Sequence, residues 1–391
     1  MAKADRRRIC FVTGTRAEFG LMARALAAIR AHPKLSLKIV ATGMHLDRSR
    51  GHSLQAIAEA GFDVDATVAW PPAAQASQPA TAAATGRAMA ELAAAYGRVG
   101  ADVVLVVGDR VEAFAAAAAA HVAGLCVAHV HGGDRAPGVV DDSLRHAVTK
   151  LAHVHFPATA ASAARILKLG EDRWRVRRVG SPGLDGIVAD AAPPAVVAAH
   201  VGPLARHRFA LVGFHPAGGA DAAERRNAEA LLAATRRVPF EHIVVVYPNN
   251  DPGSGGIVHC WAAAEGAPRA DPRLVFRRDL PRAVWLGLLR DAAVLVGNSS
   301  SGIIEAASFG TPVIDVGPRQ HGREHGPNVV HTGYAAQDVA RKLRRIWNGG
   351  NPIRFPKRNV YGGGGGAGAK IADVLGRVTI DERLLRKLIA Y

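Results

Sequence analysis

Cysteine is scarce: Cys10, Cys126 and Cys260 are the whole complement of a 391-residue chain, and they lie far apart. Such thiols make neither an even-numbered disulfide framework nor a metal cluster, which fits a reducing, cytoplasmic setting. No apolar run approaches the roughly 20 residues that span a bilayer, because each Ala-rich stretch is broken by His, Gly or charge. The opening Met1-Ala2-Lys3-Ala4-Asp5-Arg6 lacks the apolar core and cleavage site of a secretory leader. A soluble protein without a membrane partner is expected. Aromatics make up only 5%, and no long Lys/Arg run is interleaved with them as a nucleic-acid groove would require. Lys and Arg number 49 against 33 Asp and Glu, a net charge of +16. The excess is scattered over Arg6-Arg7-Arg8, Arg173 to Arg178 and Arg341 to Arg345, a poor footprint for nucleic acid and enough for a phosphate-bearing small molecule. P-loop spacing and the three-glycine dinucleotide fingerprint are both missing after the first strand, so neither ATP nor NAD is expected.

What is present is ordinary globular material, 49% hydrophobic and 21% charged, with 42 Gly and 22 Pro. The length suits two domains. Short Val/Ile/Leu runs alternate with Ala-rich segments of helical period, the pattern of parallel strands joined by crossover helices. Strands are expected at Ile9 to Thr13, Leu37 to Thr42, Val103 to Val107, Val127 to Val130, His155-Phe156 and Val176 to Val179. A second set is expected at Phe209 to Val212, Ile243 to Tyr247, Leu274 to Phe276, Ala293 to Val296 and Pro312 to Val316. The Pro- and Ala-rich stretch 191–203 suits a linker. The expected architecture is therefore α/β: two Rossmann-like, doubly wound domains, 1–190 and 204–370, facing a ligand cleft, with closing helices over 371–391. The stretch Tyr361-Gly-Gly-Gly-Gly-Gly-Ala-Gly-Ala-Lys370 is the one low-complexity segment, either a surface loop or a phosphate cradle.

Polar groups gather where these strands end. The first strand runs into Gly14-Thr15-Arg16-Ala17-Glu18, a tight turn with an arginine at a helix start, which is a plain turn or an anion site. Gly108-Asp109-Arg110 and His129-Val130-His131-Gly132-Gly133-Asp134 end neighbouring strands, and Asp141-Asp142-Ser143-Leu144-Arg145-His146 follows. Carboxylates and imidazoles crowded there point to proton transfer on a bound substrate, although His146 or Asp142 pairing with Arg145 is the plainer reading. His-x-His with an aspartate lacks a tight zinc spacing, and no metal is expected. In the second half, Asn298-Ser299-Ser300-Ser301-Gly302 opens a helix whose N–H groups and hydroxyls suit a diphosphate, with Glu305 one turn on to accept from ribose hydroxyls. Serines are also ordinary N-caps. His215 ends a strand, Tyr247-Pro248-Asn249-Asn250-Asp251 follows another, and Arg319 and Arg323 offer guanidiniums for a nucleotide phosphate.

These residues resemble the UDP-N-acetylglucosamine 2-epimerase family, and within it the hydrolysing branch that feeds sialic-acid-type sugars. The resemblance spans nearly the entire chain and rests on Thr13-Gly14-Thr15-Arg16-Ala17-Glu18, Gly108-Asp109-Arg110, His131-Gly132-Gly133, Asp141-Asp142-Ser143-x-Arg145-His146, Gly180-Ser181-Pro182-Gly183, Gly297-Asn298-Ser299-Ser300-Ser301-Gly302 and Arg319-Gln320-x-Gly322-Arg323-Glu324. It implies the two-domain GT-B architecture of a large glycosyltransferase class, a UDP-sugar substrate, no cofactor, and assembly as a homodimer or homotetramer. It also implies an elimination that removes the C2 proton and UDP to leave a glycal, followed by addition of water. Carried over by position, Asp109 and Asp141 or Asp142 resemble the acidic catalytic residues and His215 the catalytic histidine. Arg16, Ser300, Ser301, Glu305 and Arg323 resemble nucleotide contacts. His131 stands where related enzymes often carry glutamate, so that role passes to its imidazole or to Asp134. The polyglycine stretch replaces a family loop that carries an acidic residue.

Overall fold

The computed structural model describes residues 6–46, 54–70, 78–135, 140–248, 253–362 and 364–391, with backbone only for Gln78, Val140 and Asp141. The chain divides into two compact units, Met1–Asp185 with Tyr361–Tyr391, and Gly186–Val360.

The first unit alternates β1 (Arg7–Thr13), α1 (Arg16–Ala31), β2 (Leu35–Ala41), α2 (Leu54–Glu59), β3 (Ala66–Thr67), α3 (Gln78–Val99), β4 (Val103–Val107), α4 (Val111–Val122), β5 (Cys126–Val130), α5 (Val140–Leu151), β6 (Val154–Phe156) and α6 (Ala160–Lys168). Its six strands are parallel, in the order β3-β2-β1-β4-β5-β6. The run Val103-Val104-Leu105-Val106-Val107 is buried throughout, as a strand covered on both faces must be. The alanines 115–120 of α4 are buried too, their small side chains letting the helix lie close between β-sheet and α3.

The second unit begins with α7 (Ile187–Asp190) and α8 (Pro194–Val201). It continues through β7 (Phe209–Gly213), α9 (Asp221–Arg236), β8 (His242–Val246), α10 (Ser254–Glu265), β9 (Leu274–Arg277), α11 (Arg282–Asp291), β10 (Val294–Gly297), α12 (Ser300–Ile304), β11 (Val313–Val316), β12 (Val329–Thr332) and α13 (Ala336–Trp347). Its parallel order, β12-β11-β10-β7-β8-β9, is the same doubly wound arrangement as in the first unit. In each sheet the winding reverses between two central strands: β1 and β4 in one, β7 and β10 in the other. Ligands of such sheets bind beyond the carboxyl ends of those strands. Helix α13 buries Val339, Ala340, Leu343, Ile346 and Trp347, one stripe at helical spacing.

The chain then returns to the first unit as α14 (Ala367–Arg377) and α15 (Glu382–Leu385). Lys387 lies beyond them, 6% exposed, and its ammonium meets the fully buried Glu171 at 2.7 Å. It also donates to the carbonyls of Thr149, Lys150 and Ala152, which close the C-terminus of α5. Glu171 accepts in addition from Lys150 at 2.6 Å and from His155 Nε2 at 3.0 Å. Burial works against its charge, but these three donors hold the carboxyl down to about 2.

Several expectations are corrected. The division falls at residues 185 and 360, not at 190–204 and 370, because α7 and α8 pack on α11 and α14 packs on α1. The expected linker 191–203 is largely helix: Pro194 occupies the first turn, where a missing N–H costs nothing, and Gly202 at φ +86° ends it. A Cβ on Gly287 of α11 would lie 2.7 Å from both Ala192 O and Val197 Cγ2, so the close packing requires glycine. Val176 to Val179 is not a strand; Val176 makes an isolated bridge with His155. Pro157, alongside, has no N–H to extend the ladder. The strands β3 and β12 were absent from the expected set.

The polyglycine stretch resolves into a helix entry. Gly364, Gly365 and Gly366 take positive φ, and Gly366 precedes α14. The Asp185 carboxylate accepts from the N–H groups of Ala367 and Gly368 at 2.9 and 2.7 Å, so the anion at that helix start is the protein's own. Gly363 lies outside the described residues. All three cysteines are free and buried, and burial pushes Cys10 and Cys126 up to about 12 and Cys260 to about 11, which keeps them as unreactive thiols. Among the described residues no helix is long and apolar enough to cross a membrane.

Candidate functional site

The carboxyl end of β1 is a tight turn. Thr15 caps α1, its hydroxyl accepting from Glu18 N at 3.2 Å, while the Glu18 carboxylate accepts from Gly14 N at 2.8 Å and Thr15 N at 3.1 Å. The backbone donors of this turn are therefore taken by Glu18, as in a plain capped turn, rather than left open to a foreign anion. Arg16 is exposed at the start of α1. Glu112, 4% exposed, sits under Gly14, where a Cβ would come within 3.1 Å of its side chain, and pairs with Arg110 at 3.2 Å. Burial, and then the neighbouring Glu112 charge, push Glu18 up to about 7. A carboxyl raised on folding binds its proton more tightly in the native state, so this group's stabilising contribution is full at low pH and fades as pH rises from 4.5 through about 7. Glu18→Gln is expected to flatten that slope; equal changes in melting temperature from pH 5 to 7.5 in both proteins would contradict it.

Across the reversal point, β4 is followed by Gly108 at φ +77°, a backbone shape suited to glycine. Gly108 N donates to Val130 O at 3.0 Å, and its carbonyl accepts from His129 Nε2 at 2.8 Å. Burial pushes that imidazole down to about 3, so it is a neutral donor that fixes the turn presenting Asp109. The Asp109 carboxylate pairs with Arg145 of α5, which is 4% exposed. A second guanidinium nitrogen of Arg145 donates to His131 O at 2.9 Å.

His131 holds φ +63°, a left-handed conformation that costs a non-glycine residue about 1 kcal/mol or more. Its surroundings over-determine it. The N–H donates to Phe156 O at 3.2 Å, Nδ1 meets Asp134 Oδ2 at 2.9 Å and Nε2 meets Ser181 Oγ at 3.0 Å. Asp134 also accepts from Ser162 Oγ at 2.6 Å. Burial opposes its charge, yet the bonds from His131 and Ser162 and the charge of Arg145 hold the carboxyl well below the usual range. Asp134 is thus a fixed acceptor that orients the His131 ring, as carboxylates orient catalytic imidazoles elsewhere.

Asp142 pairs with His146 at 3.6 Å, one helical turn away, both about one-third exposed. The plainer reading of Arg145 as their partner is corrected: Arg145 points to Asp109 instead. Sequence spacing within α5 gave no signal for that contact, since Asp142 sits at i−3 from Arg145 and Asp109 is distant. The Asp141 side chain and Asn249 lie outside the described residues.

In the second unit the reversal point joins β7 to β10. Gly297, at φ +136°, lies so close to β7 that a Cβ would meet Gly213 O at 2.1 Å. The next residue, Asn298, is buried, and its amide clasps the backbone of His215, accepting from His215 N at 2.7 Å and donating to His215 O at 2.8 Å. The sequence names His215 but gives no hint of this clasp. Helix α12 starts at Ser300, and Ser299 makes no side-chain capping bond, so capping does not account for the serines. Ser301 Oγ donates to Glu305 and accepts from Trp285 Nε1 at 2.9 Å. Glu305, 8% exposed, accepts also from Arg282 at 2.7 Å. The helix that the serines open is short: α12 is followed by a 3₁₀ turn at Ala306–Ser308, with Gly302 buried. Arg319 and Gln320 both donate to Asn298 O, at 3.0 and 2.9 Å, and Arg323 is half-buried in the same loop.

A cavity of about 650 Å³ lined by Arg6, Arg7, Lys34, Asp102 and Cys126 opens at the amino ends of β1, β4 and β5. It lies at the wrong end of the sheet for Asp109 and takes no part in this site.

A family model for UDP-N-acetylglucosamine 2-epimerase matches residues 27–376. A UDP-N,N'-diacetylbacillosamine 2-epimerase (hydrolyzing) of Legionella pneumophila is 33% identical over 386 residues, covering 98% of this chain and 100% of the relative. A UDP-N-acetylglucosamine 2-epimerase of Neisseria meningitidis is 29% identical, covering 92% and 91%. Among solved structures, the Neisseria meningitidis UDP-GlcNAc 2-epimerase bound to UDP-GlcNAc superposes with a TM-score of 0.78 at 18% identity, covering 94% of this chain and 99% of that one. The two parallel α/β sheets are thus the GT-B-like fold of these enzymes. With its model matched over most of the chain and a full-length relative above 30% identity, this protein belongs to the UDP-N-acetylglucosamine 2-epimerase family.

Proposed function

We propose that the chain is a hydrolysing nucleotide-sugar 2-epimerase, which converts a UDP-N-acetylhexosamine and water to UDP and the free 2-epimeric sugar. The observation that carries this reading is Asp109, presented at the reversal point of the first sheet and paired with a buried arginine. In the proposed reaction a base takes the C2 proton, the C1–oxygen bond to UDP breaks, and a glycal forms. Water then adds at C1 while a second group returns a proton to the other face of C2. Asp109 and His215 are the proposed proton-transfer groups, with Asp142 and Asp141 as further acidic candidates. His131, oriented by Asp134, takes the place proposed for the family glutamate. Arg16, Arg319, Arg323, Asn249, Glu305 and the Ser299 to Gly302 segment are the proposed nucleotide contacts, balancing the charge of the departing diphosphate.

The hydrolysing type is supported by the Asp141-Asp142-Ser143-x-Arg145-His146 string and by the Legionella relative, whose name carries that activity. That relative also supports a second substrate, a 2,4-diacetamido nucleotide sugar, beside UDP-N-acetylglucosamine. A Campylobacter jejuni relative named for GDP and UDP forms, 27% identical, extends the choice to the nucleotide. Release of UDP from the two UDP-sugars, followed at equal enzyme, decides the substrate: the larger kcat/KM identifies it. Accumulation of a 2-epimeric UDP-sugar, without free sugar, would replace the hydrolysing reading by the non-hydrolysing one. A homodimer or homotetramer in a cytoplasmic setting remains part of this proposal.

A further inference from the structure

The loop that carries Arg319 and Arg323 joins β11 to β12, and a chain of hydrogen bonds runs along its far side. Asp315 of β11 and His331 of β12 are register partners, and Asp315 Oδ2 lies 2.7 Å from His331 Nδ1. His331 Nε2 lies 3.0 Å from Nε2 of His325, in the loop, whose Nδ1 lies 2.9 Å from Gly326 O. The two rings meet edge to face at 4.7 Å, and His321 packs on His331 at 5.5 Å.

The acceptors assign the protons. A carbonyl only accepts, so His325 carries hydrogen on Nδ1 and, when neutral, presents a bare Nε2. With His325 neutral, the hydrogen between the rings belongs to His331 Nε2. The contact from His331 Nδ1 to Asp315 then needs a proton of its own. Two neutral imidazoles and a carboxylate bring two protons to three hydrogen bonds, so the chain of Asp315, His331 and His325 retains one more, shared along it. Asp315 is 1% exposed, and burial pushes its carboxyl upward against the lowering effect of His331. Facing the chain are His321, Lys342 of α13, whose ammonium donates to His331 O at 2.6 Å, and Tyr334, whose hydroxyl burial pushes up to about 12.

We propose that Asp315, His331 and His325 are positioning residues, a proton-sharing chain that holds the 317–328 loop so that Arg319 and Arg323 face the diphosphate of the nucleotide. The role rests on the nucleotide-sugar reading above. The loop is anchored at its other side by Arg319 and Gln320 on Asn298 O, the residue that clasps His215, so a shift at His325 is transmitted to both.

The test joins nitrogen-15 NMR of the imidazoles to UDP binding by calorimetry and steady-state kinetics at pH 7.5. Wild-type protein should show His325 with hydrogen on Nδ1 alone and His331 protonated on Nε2 with a shared proton at Nδ1. His325→Phe keeps the ring volume and loses both bonds; UDP affinity should fall about tenfold, with KM rising more than kcat falls. Asp315→Asn should shift UDP affinity in the same direction, which covers the case of a poorly folded first variant. His325 found with hydrogen on Nε2, or UDP bound equally well by wild type and both variants, overturns the positioning role alone. Wild-type protein that binds no UDP overturns the nucleotide reading together with it.

Discussion

Asp109→Asn is expected to lower turnover about a thousandfold while leaving UDP affinity close to that of the unaltered protein. The amide keeps the shape of the carboxyl but cannot take a proton. Gly108 and His129 hold the turn independently of the side chain, through bonds at 3.0 and 2.8 Å, so the backbone should stay in place. The same substitution removes the anion facing Arg145, which is 4% exposed, and leaving a buried guanidinium without its partner costs about 3–5 kcal/mol. Lost turnover with a lower melting temperature and retained UDP binding is therefore the expected signature. Retained turnover with the same loss of stability would make Asp109 an anchor for Arg145 and nothing more.

Lys387→Met should lower the melting temperature by about 10 °C, an effect on stability as large as any single change in this chain is expected to have. The ammonium is 6% exposed, neutralises a fully buried Glu171 and satisfies the carbonyls of Thr149, Lys150 and Ala152 at the end of α5. Lys150 and His155 remain beside Glu171, but the three carbonyls lose their donor. The pH dependence has a definite sign. Glu171 is held at about 2 in the folded protein against 4.5 ordinarily, so its contribution is complete above pH 4.5 and is lost as pH falls from 4.5 toward 2. A calorimetric scan showing less than about 2 °C of change at pH 7 would mean the tail is dispensable to this unit.

The strands were readable because parallel strands covered on both faces must be short unbroken apolar runs, as Val103–Val107 is. Less legible were elements whose sequence competes with another explanation. Pro194–Val201 reads as linker because Pro193 and Pro194 stand at its start, although proline is at home in a first helical turn. The polyglycine segment reads as a free loop or a cradle until Asp185, nearly two hundred residues earlier, is seen to fill the helix start. The strand-end positions of Asp109, His131 and Asn298 were legible because each follows a short apolar run. The partnerships were not: Arg145 reaches Asp109, and Asn298 clasps His215, across sequence separations of 36 and 83 residues that no local pattern encodes.

The most direct trial of the account is proton NMR of the sugar released when the enzyme works in deuterium oxide. Elimination and re-addition predict a free 2-epimer carrying deuterium at C2, because the proton removed there is exchanged before the other face is reprotonated. A released sugar that keeps its original hydrogen and configuration at C2 would show simple hydrolysis of the UDP linkage and contradict the mechanism.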